Sequence, residues 1–280
     1  MIEQKTLSSY PIGNTKPMTL ISGPCVVESR DVLFQCAEVL KKISQQFSIP
    51  VIFKASLDKA NRTSDDGFRG VGVDKALELL MDVKRTFDLP IITDVHHCEM
   101  VNQVANVVDF IQIPAFLCRQ TDLIRAAAAT GLPVNIKKGQ FLAPADMQYV
   151  LQKATNTGNQ NIMLCERGSS FGYHNLVVDF RGLSIMRAMG HPVVFDATHS
   201  VQLPGGANGK SGGQREYANV LARAALTIGI AAIFCETHPN PDQAMSDGAN
   251  SIHLHDLPHY VAQWVALDRL AKEHLVAEVA

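Results

Sequence analysis

Eight short apolar runs, most of them rich in β-branched residues, recur along the chain, and longer stretches with helical spacing separate them. The runs are Thr19 to Ser22, Val51 to Lys54, Ile91 to Val95, Phe110 to Ile113, Val134 to Ile136, Ile162 to Cys165, Val193 to Phe195 and Ala232 to Cys235. Val32, Cys36, Val39, Leu40 and Ile43 fall on one helical face after the first run, and Ala76, Leu79, Leu80 and Val83 do so after the second. Strands that are apolar on both faces require a parallel sheet covered by helices. Pro50, Pro90, Pro133 and Pro192 stand just before four of the runs, where proline ends a helix and opens a strand. Eight such units in 280 residues predict an α/β fold, a closed (β/α)8 TIM barrel, as one domain over 1–280. A doubly wound, Rossmann-like sheet is the alternative.

Ahead of the first run, Pro11-Ile12-Gly13-Asn14 is a turn sequence between two short extended pieces. It predicts an N-terminal hairpin within 1–16, placed most naturally as a plug for the barrel end away from the chemistry. Basic residues number 25 and acidic residues 27, so no net charge draws the chain to nucleic acid or anionic lipid. Small molecules are the expected partners. Met1 to Tyr10 lacks the pattern of a signal peptide, and no apolar stretch reaches membrane-spanning length. The six scattered cysteines fit free thiols in a reducing compartment, so a soluble cytoplasmic protein is expected.

In β/α barrels the chemistry sits where the strands end. The residues closing these runs are Cys25, then Lys54 and Ser56, Asp94 and His96, Arg119, Lys137 and Lys138, Arg167, Asp196 and His199, and finally Glu236 and His238. A polar residue at one strand end is ordinary, because strand ends meet solvent. A series of them places ionisable groups around one mouth, where pairing offsets their desolvation and shifts their pKa values.

Cys25, His199, Glu236 and Asp247 point to a metal. A thiolate, an imidazole and two carboxylates suit a borderline divalent ion such as Zn²⁺ or Fe²⁺ better than Mg²⁺. A lone buried cysteine is more often a small hydrophobe, and His238 and Asp196 stand as alternative ligands on chemistry alone. Lys54, Lys59, Arg62, Arg119, Lys137 and Arg167 gather cations at the mouth although the whole chain is slightly acidic, so the substrate is expected to be anionic. The glycine-rich segments Gly168 to Gly172 and Gly205 to Gly213 are candidate phosphate cradles or lids, with plain connection as the competing reading.

The motifs Gly23-Pro24-Cys25-Val26-Val27-Glu28-Ser29, Phe53-Lys54-Ala55-Ser56, Lys59-Ala60-Asn61-Arg62, Ile92-Thr93-Asp94-Val95-His96 and Gln112-Ile113-Pro114-Ala115-Phe116-Leu117 resemble those of the 3-deoxy-D-manno-octulosonate 8-phosphate synthases. The likeness continues through Lys137-Lys138-Gly139-Gln140-Phe141, Cys165-Glu166-Arg167-Gly168 and Phe195-Asp196-Ala197-Thr198-His199, nearly the whole chain. The related 3-deoxy-heptulosonate phosphate synthases, which act on erythrose 4-phosphate, typically carry Lys-Pro-Arg where this chain has Lys59-Ala60-Asn61-Arg62. Metal-independent members of the octulosonate family have asparagine at the position of Cys25, so the resemblance is to the metal-dependent class.

That resemblance implies condensation of phosphoenolpyruvate with arabinose 5-phosphate and water, releasing phosphate, for lipopolysaccharide biosynthesis. It implies a divalent ion (Zn, Fe or Mn) on Cys25, His199, Glu236 and Asp247, and a homotetramer. Lys54, Lys59, Lys137 and Arg167 are then expected to hold phosphoenolpyruvate, and Asn61, Arg62 and Ser64 the pentose phosphate, with Arg119 reaching a neighbouring subunit's site. Ser56 and Gln112 join the substrate-binding set, and Lys54, Lys59, Asp94, Lys137 and His199 the catalytic one. Two rival readings are a barrel aldolase with a Schiff base on Lys54 or Lys137, and a barrel that only binds anionic sugars or serves as a scaffold.

Overall fold

Four of the turns that lead from a helix into a strand use one solution. In a computed structural model of the chain, which describes residues 3–61, 65, 67–207 and 210–275, Ser48, Asp88, Gly131 and Gly190 each take a left-handed backbone, with φ of 52°, 49°, 79° and 80°. One residue and a proline follow each of them, and then the strand begins. The left-handed residue breaks the helical ladder, and the proline, which has no N–H, sits where the strand still lacks a partner. The carbonyls of Pro50, Pro90, Pro133 and Pro192 nevertheless join the sheet, accepting from the N–H groups of Leu20, Phe53, Ile111 and Leu164 at 2.8–3.0 Å. These four strands each begin opposite the second or third residue of the preceding strand, Val51 opposite Leu20, Ile91 opposite Phe53, Val134 opposite Ile111 and Val193 opposite Leu164, the kind of stagger that barrel closure needs.

The strands are β1 (Thr19–Gly23), β2 (Val51–Lys54), β3 (Ile91–Asp94), β4 (Phe110–Ile113), β5 (Val134–Lys137), β6 (Ile162–Glu166), β7 (Val193–Asp196) and β8 (Ala232–His238). They pair in parallel and in chain order, and β8 returns to pair with β1, Thr19 opposite Ala232 and Gly23 opposite Glu236. The sheet closes on itself, which rules out the doubly wound alternative. Helices α1 (Arg30–Phe47), α2 (Val73–Phe87), α3 (Cys98–Ala105), α4 (Thr121–Ala129), α5 (Met147–Thr155), α6 (Arg181–Arg187), α7 (Ala218–Leu226) and α8 (Leu257–Leu270) alternate with the strands.

Each strand is buried on both faces. Leu20, Phe53, Ile111, Ile136, Leu164, Phe195 and Ile233 join the apolar faces of the helices in one cluster. Ile21, Ile52, Ile92, Phe110, Met163, Val194 and Phe234 form a second cluster. Alternation along the strands makes the second cluster the barrel lumen.

Leu7 and Ile12 belong to that inner cluster, and Tyr10 packs against it with its ring 4.6 Å from that of Phe110. Thr6 and Gly13 form an antiparallel bridge, and the Leu7 N–H donates to the Ile12 carbonyl at 3.0 Å. The buried Asn14 amide donates to the His191 carbonyl and accepts from the Val193 N–H, both at 2.8 Å, which fixes the segment to the start of β7.

Part of the glycine-rich segment after β7 is regular structure, since Gln202–Ala207 and Lys210–Gly213 pair as an antiparallel ribbon. No helix among the described residues is long and apolar enough to cross a membrane. Ile12 is 1% exposed, so Ile12→Ala should lower the free energy of unfolding by about 2–5 kcal/mol in chemical denaturation. Steady-state rate constants at a permissive temperature should stay at the wild-type value, because the segment lies opposite the mouth.

Candidate active site

Above the inner apolar layer, the strands turn Lys54, Asp94, Gln112, Lys137, Asp196 and Glu236 into one buried polar layer, none of them more than 6% exposed. A cavity of about 970 Å³ opens over it, lined by Lys54, Lys59, Asn61, Asp94, Gln112, Lys137, Arg167, His199 and Asp247 among others. Opposite charges pair within the layer. Lys54 Nζ donates to Glu236 Oε1 at 3.0 Å and to the Cys25 carbonyl at 3.1 Å, with Lys59 Nζ 3.8 Å from the same carboxylate oxygen. Lys137 Nζ donates to Asp196 Oδ2 at 2.6 Å and lies 3.9 Å above the Phe234 ring.

Burial alone would drive these groups toward neutrality. For Asp94 it is outweighed by Lys54 and Lys59, for Asp196 by His199 and Lys137, and all three aspartates of the site, Asp247 included, are held below the ordinary carboxylate range. Asp196 in turn keeps Lys137 above the ordinary lysine value despite its burial.

Gly23 and Pro24 carry the chain from β1 to Cys25. A Cβ on Gly23 would lie 2.1 Å from the Lys54 carbonyl oxygen, so only glycine lets the end of β1 approach β2 this closely. One ligand atom from each of Cys25, Glu236 and Asp247 lies within 4.8 Å of the others. His199 Nε2 faces two of them, 3.6 Å from Glu236 Oε1 and 3.7 Å from Asp247 Oδ2. Glu236 Oε2 is buried with no hydrogen-bond partner, and burial followed by the Glu236 charge pushes the Cys25 thiol well up. Two carboxylates, a thiol and an imidazole converging on one small volume fit a divalent cation, which would satisfy the orphaned oxygen and stabilise a thiolate.

The other two ligand alternatives are engaged elsewhere. His238 Nδ1 accepts the Asn240 N–H at 3.0 Å, and its Nε2 lies 3.1 Å from Glu28 Oε1. Asp196 Oδ2 meets His199 Nδ1 at 2.7 Å, which leaves Nε2 facing the cluster. The Asp247 loop is shaped by its backbone: Asp247 has φ 48°, and a Cβ on Gly248 would lie 2.1 Å from the Pro241 carbonyl oxygen. Arg215 holds this loop, donating to the Gly248 carbonyl at 2.9 Å and to Asp242 at 2.8 Å.

Arg167 is 3% exposed. Its Nη2 donates to Gln202 Oε1 at 2.9 Å, while its buried Nη1 has no hydrogen-bond partner. Gln202 Nε2 reaches Asp247 Oδ1 at 3.2 Å, so one amide bridges the arginine and the metal-type cluster. Ser56 Oγ and Gln112 Nε2 donate to the two oxygens of Asp94. Lys138, the neighbour of Lys137, turns away from the mouth and ties down the carbonyls of Gly139 and Leu142, each at 3.2 Å.

Most of the strand-end residues singled out in the sequence therefore meet at one mouth. Arg119 does not: it is exposed on the turn before α4, outside the cavity lining, where its carbonyl accepts from Lys153. Arg62 and Ser64 lie outside the described residues. Gln202 and Arg215 line the cavity, and strand-end reading passed over both because they follow β7 by several residues. Asp196→Asn removes the shared partner of two buried groups, so it should lower the free energy of unfolding by roughly 3–5 kcal/mol in denaturant titration.

The family model described as the DAHP synthetase I family matches residues 2–273. A protein of Dichelobacter nodosus (strain VCS1703A) is 57% identical over 266 residues, covering 95% of this chain and 96% of its own. A protein of Francisella tularensis subsp. holarctica (strain LVS) is 53% identical over 273 residues, covering 98% and 99%, and one of Azoarcus sp. (strain BH72) is 55% identical over 274 residues, covering 97% and 98%. Each of the three is named 2-dehydro-3-deoxyphosphooctonate aldolase. The chain belongs to the DAHP synthetase I family, in the group of its 2-dehydro-3-deoxyphosphooctonate aldolases.

Proposed function

We propose that this enzyme condenses phosphoenolpyruvate with arabinose 5-phosphate and water, giving 3-deoxy-D-manno-octulosonate 8-phosphate and inorganic phosphate for lipopolysaccharide biosynthesis. The observation that carries the reading is the pairing of two sites in one mouth. A divalent-metal type cluster lies one amide away from a buried arginine with a donor to spare. The names of relatives that match along nearly the whole chain support it.

In the balanced reaction, C3 of phosphoenolpyruvate forms a bond to the aldehyde carbon, and the aldehyde oxygen takes up a proton. Water adds at C2 and loses one proton; the C2–O bond to phosphate then breaks as the new hydroxyl becomes the C2 carbonyl and its proton passes to the departing phosphate. Lys137, kept protonated by Asp196, and Arg167, with Nη1 available, donate to the phosphoryl and carboxylate oxygens. Their charge stabilises the departing phosphate in a preorganised site. Lys54 and Lys59 complete the enolpyruvate side, and their shared partner Glu236 holds them together. Asn61, Arg62 and Ser64 take the pentose phosphate, Ser56 and Gln112 fix Asp94 beside it, and Arg119 serves a neighbouring subunit's site in a homotetramer.

Cys25, His199, Glu236 and Asp247 hold the ion, which is Zn, Fe or Mn. Bound there, a divalent ion supplies Lewis acidity toward an oxygen of the pentose or of water. Asp196 fixes the His199 ring by its Nδ1 and so selects the Nε2 face for the cluster. The free thiols of all six cysteines support a reducing, cytoplasmic setting.

A Schiff-base aldolase needs a neutral amine as nucleophile. Lys137 is bound to a buried carboxylate that holds its proton, and Lys54 is within 3.0 Å of Glu236, which opposes that reading. Phosphate release from phosphoenolpyruvate is expected only when arabinose 5-phosphate is present, and borohydride with pyruvate or a sugar phosphate should trap no adduct. Release with erythrose 4-phosphate instead would move the enzyme to the heptulosonate branch.

A further inference from the structure

The inward positions of β5 carry Asn135 and Lys137. Lys137 belongs to the charged layer, whereas Asn135 stands one step lower, paired in register with Met163 of β6 on one side and Gln112 of β4 on the other. Met163 and Phe110 belong to the apolar lumen cluster. Asn135 is 0% exposed; its Nδ2 donates to Gln112 Oε1 at 2.9 Å, and its Oδ1 is buried with no hydrogen-bond partner. An amide half satisfied in such surroundings is unfavourable for stability, and an apolar side chain of the same shape would fill the position. Among the described residues, the donor that Asn135 supplies has one recipient, Gln112.

Asp94 is ionised, so both of its oxygens can only accept. Ser56 takes one and the Gln112 NH₂ the other. The NH₂ of Gln112 must therefore point to β3, which turns its carbonyl toward β5 and requires a donor there. Ser56, Asp94, Gln112 and Asn135 follow or lie on four successive strands, and the hydrogen bonds converge on Asp94: Asn135 donates to Gln112 and Gln112 to Asp94 from one side, and Ser56 donates to Asp94 from the other.

We infer that Asn135 is a positioning residue: it sets the direction of the Gln112 amide and, through it, the placement of the Asp94 carboxylate in the cavity wall. Asn135 is absent from the cavity lining. Among the described residues, Lys54, Lys59, His96 and Lys137 are the charged or titratable groups that act most strongly on Asp94, and their attraction alone does not choose which end of the Gln112 amide faces it. The role in catalysis rests on the condensation proposed above.

The test compares the full-length protein with Asn135→Leu and Asn135→Asp by phosphate-release kinetics across pH, thermal unfolding and crystal structures. Asn135→Leu is expected to melt at or above the wild-type temperature while kcat/KM falls roughly 10- to 100-fold. In Asn135→Asp the new carboxylate draws the Gln112 NH₂ to itself and turns Oε1 onto Asp94. That raises the proton affinity of Asp94, so the acid limb of the kcat/KM profile should move to higher pH. Wild-type kcat/KM in Asn135→Leu, or a loss matched by an equal loss of thermal stability, would overturn the inference. So would a crystal structure of either variant with Gln112 unmoved against Asp94. Asn135→Asp keeps the shape of the side chain and carries the test if Asn135→Leu does not accumulate. A wild-type protein that releases no phosphate with arabinose 5-phosphate sinks the proposed reaction instead, and the Gln112 orientation in the variants still decides the role of Asn135.

Discussion

Two buried ion pairs, Lys54 with Glu236 and Lys137 with Asp196, are the condition on which the mouth of this barrel depends. An isolated charge in such a setting loses its proton balance or fails to fold, and the desolvation of each group is tolerable only because a partner lies within hydrogen-bonding distance. The same pairs fix chemical states. Asp196 keeps Lys137 a cation and orients His199, while Glu236 gathers Lys54, Lys59 and His199 around one carboxylate. Stability and chemistry are therefore carried by the same atoms.

The backbone supplies the precision that those pairs need. Left-handed turns followed by proline deliver the chain into four of the strands, and the register between strands decides which inward residues share a layer. Where two strand ends approach most closely, at Gly23 and Lys54, the absence of a side chain brings the Cys25 turn within reach of β8 and the Asp247 loop. The cluster on Cys25, Glu236 and Asp247 thus draws on segments 222 residues apart in the chain, with the Cys25 thiol 3.4 Å from Asp247.

The barrel was legible in the sequence because its signal is local: a run apolar on both faces, a helical stripe and a proline repeat until the sheet closes. Lys54, Asp94, Lys137, Asp196 and Glu236 were legible for the same reason, each ending an apolar run. What is not local was not legible. Gln202 bridges Arg167 to Asp247, and Arg215 holds the Asp247 loop, yet both sit in segments whose course only the fold defines. Asn135 was hidden differently, since it lies inside an apolar run whose direction cannot be read from composition. Arg119 shows the limit from the other side: it follows β4 closely in sequence, but the intervening turn carries it out of the cavity of its own chain.

The account stands on one mixed cluster, proposed above to take a divalent ion through sulfur as well as oxygen and nitrogen. X-ray absorption at the metal edge, on protein loaded with one equivalent of Zn²⁺, reads that directly. A sulfur scatterer at about 2.3 Å beside a nitrogen and oxygen shell, lost in Cys25→Ser, is the predicted result. A first shell of nitrogen and oxygen alone in the wild-type protein, or protein that retains no ion, would contradict the assignment of Cys25, His199, Glu236 and Asp247.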